Sequence, residues 1–107
     1  MGVQTQDAIF RALADPSRRA IFEQLTCGEA AVKDLTARFA ISQPAVSQHL
    51  AALRDAGLVR ARREGRLVYY EVEPCGLSPL VDWIARYQAF WKERLERLEK
   101  LLEKLDL

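Results

Sequence analysis

Apolar side chains recur three and four residues apart through the first half of the chain, the spacing of helices with one buried face. Ile9, Phe10 and Leu13 predict a helix over residues 7–14, and Ile21, Phe22 and Leu25 a second from Pro16 to about Thr26. Asp15-Pro16 stops the first and starts the second, since Asp caps a helix N-terminus and Pro is tolerated in the first turn. Gly28 suits a left-handed stop. Val32, Leu35 and Phe39 predict a shorter third helix over residues 30–38. Ser42 then caps a fourth, which opens on Gln43-Pro44, runs to Gly57 and turns Val46, Leu50 and Leu53 inward within about 60° of arc. The break Phe39-Ala40-Ile41 has the length of the turn in a helix-turn-helix.

After Gly57 the period changes. Residues 58–63 and 67–73 are rich in β-branched and aromatic side chains and are joined by Glu64-Gly65-Arg66, which predicts a hairpin with a basic tip. Pro74 and Gly76 end it, and residues 77–105 contain no glycine and one early proline, Pro79, so they form one long helix. The expected fold is mainly α with a small β-hairpin, a winged helix-turn-helix of order α-α-α-α-β-β-α that dimerises through its terminal helices. With 107 residues the chain holds one core. Residues 1–107 are therefore expected to form a single winged helix-turn-helix domain, with 77–105 as its expected dimerisation helix.

Apolar residues make up 50% of the chain and charged residues 29%, a globular composition. The net charge of +1 excludes a protein that coats nucleic acid through bulk positive charge, so any such site must be local. Locally the charge is uneven: residues 38–66 hold six arginines against Asp55 and Glu64, whereas Glu71 and Glu73 make the next stretch acidic. No apolar run approaches a membrane span and the first residues lack the features of a signal peptide, so a cytoplasmic protein is expected. Cys27 and Cys75 are expected as free thiols. His49 is the sole histidine, and no close Cys or His pair accompanies it, so neither a metal nor another cofactor is expected.

The fourth helix carries the chemistry. With Val46, Leu50 and Leu53 inside, its other face offers Gln43, Pro44, Ala45, Ser47, Gln48 and Ala51, short enough to enter a major groove about 12 Å wide. Gln48 can pair bidentately with adenine N6 and N7, Ser47 can donate or accept, and Ala45 leaves room for a thymine methyl. Gln43, Ser47 and Gln48 are the candidates for base reading. Ser42 and the free amides of the first turn suit a phosphate. On the hairpin, Arg62, Arg63 and Arg66 lie nearest the tip and are assigned to the DNA backbone, ahead of Arg60. His49, beside the inner face, is either a phosphate contact or a half-buried histidine near the wing. Arg54 either reaches a phosphate or pairs with a carboxylate of the fold, and Arg18 and Arg19 read as scaffold.

Three stretches, FRALADPSRRAIFEQL, AISQPAVSQHLAALRDAGLV and RREGRLVYYEV, span most of residues 9–73 and resemble the ArsR/SmtB family of bacterial winged-helix repressors. The resemblance implies a homodimeric transcriptional repressor that binds an imperfect inverted repeat in double-stranded DNA and is released by a signal. Metal-sensing relatives carry Cys-Val-Cys in the third helix, where this chain has Ala31-Val32-Lys33, and place histidines on a last helix that here has none. The resemblance is therefore to the branch that does not sense metals, with the effector open. A thiol-responsive repressor using Cys27 and Cys75 is one alternative, although these positions do not match those of relatives that sense oxidants. A winged helix used only for protein assembly is another. No Ser-His-Asp set, P-loop, paired catalytic carboxylates or nucleotide-binding glycines are present, so no enzyme and no catalytic residue is expected.

On the last helix Val81, Ile84, Gln88, Trp91, Leu95, Leu98, Leu102 and Leu105 form a 3.5-residue repeat with one polar interruption. A second stripe, Leu80, Trp83, Tyr87 and Phe90, occurs only in the first half. The expectation is that the second stripe covers the helix's own domain while the first meets the same helix of a partner. An aromatic-lined cofactor pocket is the weaker alternative.

Overall fold

Asp15 has extended backbone, φ −79° and ψ 122°, and its Oδ1 accepts the Arg18 amide at 3.0 Å, so it ends helix α1 (Gly2–Ala14) and caps α2 (Pro16–Thr26). In this computed structural model, which describes the backbone of residues 2–105 and the side chains of residues 5–105, the elements that follow are β1 (Ala30–Ala31), α3 (Val32–Phe39), α4 (Gln43–Asp55), β2 (Val59–Glu64), β3 (Leu67–Val72) and α5 (Ser78–Leu105). The first helix begins five residues before its expected start. Gln6 is buried there and its Nε2 donates to the Pro79 carbonyl at 3.3 Å, tying α1 to the root of α5.

The tight junction between α1 and α2 is closed by guanidinium groups. Arg19 Nη1 donates to the carbonyls of Leu13 and Ala14 at 2.6 and 3.1 Å, and Arg18 Nη1 to those of Arg11 and Ala12 at 3.5 and 3.4 Å. These are carbonyls that a helix end leaves without partners. Both arginines thus serve the scaffold, through capping of a helix end.

Residues 30 and 31 are not the start of the third helix. They pair antiparallel with β3, Ala30 opposite Tyr70 and Ala31 opposite Tyr69, while β2 lies along the other edge of β3 with Arg62 opposite Tyr69 and Glu64 opposite Leu67. The sheet is therefore three-stranded, in the order β1-β3-β2, and not a hairpin alone. The helix-turn-helix turn, residues 40–42, places Ala40 at φ 53°, a left-handed conformation that ends α3. Val46, Leu50 and Leu53 are fully buried on the inner face of α4, against Ile9, Ile21, Phe22, Leu25, Leu35 and Leu58 in one cluster.

Gly76 sets where α5 leaves the body. A Cβ there would lie 2.5 Å from the Gly57 carbonyl oxygen, so the link from β3 to α5 passes directly against the corner after α4. The 28 residues of α5 run about 42 Å at 1.5 Å per residue. None of them is buried. Leu80 packs on the core and Trp83 meets Phe10 edge-on at 5.4 Å, but Tyr87 and Phe90 remain 44% and 47% exposed. The second stripe thus covers its own domain only as far as Trp83.

The Asp15 cap makes a pH prediction. The hydrogen bond from the Arg18 amide, helped by the nearby His49 charge, holds the Asp15 carboxyl below its ordinary value. A lowered native value means the cap's charge stabilises the fold above the unfolded carboxyl's pKa, near 4, and the contribution is lost as pH falls through the native value. Asp15→Asn keeps an acceptor for the amide without the charge. Its thermal midpoint should sit below that of the wild type at pH 7, and the gap should narrow progressively as pH falls below about 4. A gap independent of pH would show that the charge contributes nothing.

Candidate nucleic-acid interface

The first turn of α4 is a capped helix start with exposed polar side chains. Ser42 has extended backbone, its Oγ accepts the Ala45 amide at 3.2 Å, and Pro44 occupies a position where no amide hydrogen bond is lost. Ser42, Gln43, Ser47 and Gln48 are exposed, Ala45 is half-buried, and Ala51 is half-buried on the same side. Among the described residues, no segment of the chain covers this face.

Gln43 and Ser47 line a crevice of about 300 Å³ together with Arg66 from the hairpin turn and Lys33 from the first turn of α3, against Ala31, Val68 and Tyr70. Four of these groups, two cations and two short polar side chains, come from three separate elements and face one opening. Lys33 was not among the residues expected here. It lies outside the arginine-rich stretch, and only the β1 pairing, which draws the start of α3 against the wing, brings it beside Arg66.

The wing arginines divide into two groups. Arg60 Nε donates to Glu71 Oε1 at 2.8 Å, with Glu73 at 3.5 Å from its Nη1. Arg62 donates to both oxygens of Glu29, to Glu64 Oε2, and lies 4.8 Å from the Tyr69 ring centre. The hydrogen bonds to Glu71 and to Glu29 raise these two guanidinium pKa values above the ordinary arginine range. Arg63 and Arg66 at the tip form no ion pair among the described residues. The positive charge open to a ligand is therefore Arg63, Arg66 and Lys33, and Gly65 at φ 60° makes the turn that carries Arg66.

His49 is half-buried, and its Nδ1 is buried without a hydrogen-bond partner among the described residues. Arg54 is exposed, with Asp55 at 3.9 Å. Cys27 and Cys75 are exposed free thiols. Cys27 stands at the end of α2, in a cleft it shares with Glu29, Asp34 and Arg38. On α5, Val81, Ile84, Gln88, Trp91, Leu95, Leu98 and Leu102 are all exposed, the apolar members between 49% and 59%. No described helix is long and apolar enough to cross a membrane.

Residues 15–61 match the model of the bacterial regulatory protein family named for arsR. The chain is 39% identical over 100 residues to the HTH-type transcriptional regulator Rv2034 of Mycobacterium tuberculosis, covering 94% of this chain and 91% of that one. It is 32% identical over 79 residues to the transcriptional repressor SdpR of Bacillus subtilis, covering 74% and 88%. Among solved structures, the ArsR-like transcriptional regulator from Rhodococcus sp. RHA1 superposes with a TM-score of 0.74 at 27% identity, over 92% of this chain and 93% of the other.

Proposed function

The chain belongs to the ArsR family of bacterial regulatory proteins, and from that premise we propose that it represses transcription as a homodimer on an inverted-repeat operator, reading bases with Gln43, Ser47 and Gln48. The observation that carries this reading is the crevice between α4 and the wing, where Lys33 and Arg66 stand beside Gln43 and Ser47. Cations in such a position hold the DNA backbone and fix the register of the duplex, while the short amides on α4 read base edges. Ser42 and the first-turn amides of α4 take a phosphate, and Arg63 reaches the backbone from the wing tip. A winged helix used for assembly alone would need neither an uncovered polar face on α4 nor three unpaired cations around it.

The second copy covers the apolar seam of α5 from Val81 to Leu102. Operator half-sites then lie about 34 Å apart, one turn of duplex, to meet both recognition helices. The acidic surroundings of Cys27 do not favour the thiol-responsive alternative, because reactive cysteines sit in electropositive settings.

Selection of duplexes from a random pool identifies the operator, and salt titrations on the selected duplex separate the roles. Gln48→Ala should cost about 1–3 kcal/mol on the operator and relax preference at one base pair per half-site. Lys33→Ala and Arg66→Ala should weaken operator and random duplex alike, and flatten the dependence of log K on log salt by about 0.9 for each phosphate no longer neutralised. Equal losses on both duplexes in all three variants would refute this division.

A further inference from the structure

We propose that Glu29 is a positioning residue for the wing: its carboxylate grips Arg62 and sets the hairpin against the helix-turn-helix, so that Arg62 serves DNA binding through this clamp and not by touching a phosphate. The inference rests on the DNA-binding reading above, and it gives a different task to a cation that its place near the wing tip assigns to the DNA backbone.

The geometry is specific. Arg62 Nε donates to Glu29 Oε2 at 3.3 Å and Nη2 to Glu29 Oε1 at 2.7 Å, a two-point pair along one edge of the guanidinium. Nη1 donates to Glu64 Oε2 at 2.8 Å, and the Tyr69 ring, directly across the sheet, lies 4.8 Å from the guanidinium carbon. Two carboxylates and a ring occupy the group, so a phosphate must compete with two negative charges already paired to the cation. Isolated surface pairs contribute little, but a bidentate arginine in a network with a stacked ring is the case where geometry counts.

The position of Glu29 gives the clamp its function. It follows Gly28 in the link between α2 and β1, and β1 leads straight into α3, the first helix of the helix-turn-helix. Backbone pairing holds the wing to that side through only two residue pairs, Ala30 with Tyr70 and Ala31 with Tyr69. Arg60 adds nothing there, since Glu71 and Glu73 belong to the hairpin and its exit. Among the described residues, Arg62 is the one wing arginine whose ion pairs join β2 to a residue before α3. With Glu29 fixed, Arg66 stays at the crevice it shares with Lys33, Gln43 and Ser47.

The test is a double-mutant cycle on the duplex selected from a random pool, titrated over a range of salt, with wild type, Glu29→Gln, Arg62→Gln, the double variant and Arg66→Gln. Glu29→Gln and Arg62→Gln should each weaken binding about three- to tenfold at the wild-type salt slope, and the double variant should be no weaker than the weaker single. Arg66→Gln should flatten the slope and so calibrate what one neutralised phosphate contributes. A flattened slope for Arg62→Gln, multiplying losses in the double variant, or tighter binding by Glu29→Gln would each overturn the proposal. Amide exchange in the free protein reads the clamp without DNA. Glu29→Gln should speed exchange across β2 and β3, and unchanged exchange overturns the clamp itself. A wild-type chain that binds no duplex overturns the DNA reading and the positioning role with it, and faster exchange in Glu29→Gln then shows that the lock exists apart from that reading.

Discussion

Replacing Leu50 by alanine lowers the free energy of unfolding by about 2–5 kcal/mol, the range for deleting a fully buried leucine side chain. Leu50 has no exposed surface, and neither have Val46 and Leu53 one turn to either side on the inner face of α4. The hole opens between the recognition helix and the helices beneath it, where Ile21, Leu25 and Leu35 are equally sealed from water. Small domains hold about 5–15 kcal/mol in total, so this one change removes a large part of the reserve. Urea unfolding followed by circular dichroism measures it as a fall in midpoint at unchanged slope. Gln48→Ala, two residues earlier on the outer face, should shift unfolding by less than about 0.5 kcal/mol while still changing base preference. The pair separates scaffold from reading surface on a single helix. A Leu50→Ala shift below about 1 kcal/mol would mean that α4 is not anchored by this face.

The same helix shows how much the sequence alone makes legible. Its inner triad and its cap follow from a 3.6-residue period and from Ser42 before Pro44, both local signals, and the structure places Val46, Leu50 and Leu53 as that period requires. The strand at residues 30–31 has no such signal. Two alanines carry no strand pattern, and their partners, Tyr69 and Tyr70, lie far along the chain, so only tertiary pairing makes them a strand. Lys33 followed from that omission: with β1 unseen, nothing connected the start of α3 to the wing. The early start of α1 was hidden for a related reason, since Gln6 is polar and its burial depends on the Pro79 carbonyl. Counting charge along the chain located the basic region but not its pairing. The carboxylates that occupy Arg60 and the bidentate partner of Arg62 fall outside residues 38–66, in Glu71, Glu73 and Glu29. Tyr87 and Phe90 illustrate the opposite limit, because a helical stripe shows that a face must be covered without showing by what.

Cover for the neighbouring seam of α5, from Val81 to Leu102, is what the pair of changes Leu95→Glu and Leu98→Glu removes. The double variant should run as a folded monomer in analytical ultracentrifugation, and its affinity for a duplex with two half-sites should fall about 10²- to 10⁴-fold, the range expected when two linked binding events become independent. Affinity for a single half-site should be unchanged. The seam that these residues extend leaves Trp91 58%, Leu95 57% and Leu102 55% exposed, on a helix with no buried residue of its own. Each such side chain is already about half covered, so covering the rest contributes about 0.8–1.5 kcal/mol, and the apolar members of the seam, doubled by symmetry, are of the size needed to offset the roughly 4–15 kcal/mol cost of bringing two chains together. The pairs flanking the seam decide little by comparison: Arg97 with Glu93 at 2.6 Å is an exposed i,i+4 bridge. Because Leu95 and Leu98 touch none of the core around Leu50, the variant separates assembly from folding. A variant that stays dimeric would place the interface elsewhere on the molecule. A wild type that is monomeric at concentrations where it binds its operator would remove the twofold arrangement, and with it the half-site spacing of one duplex turn.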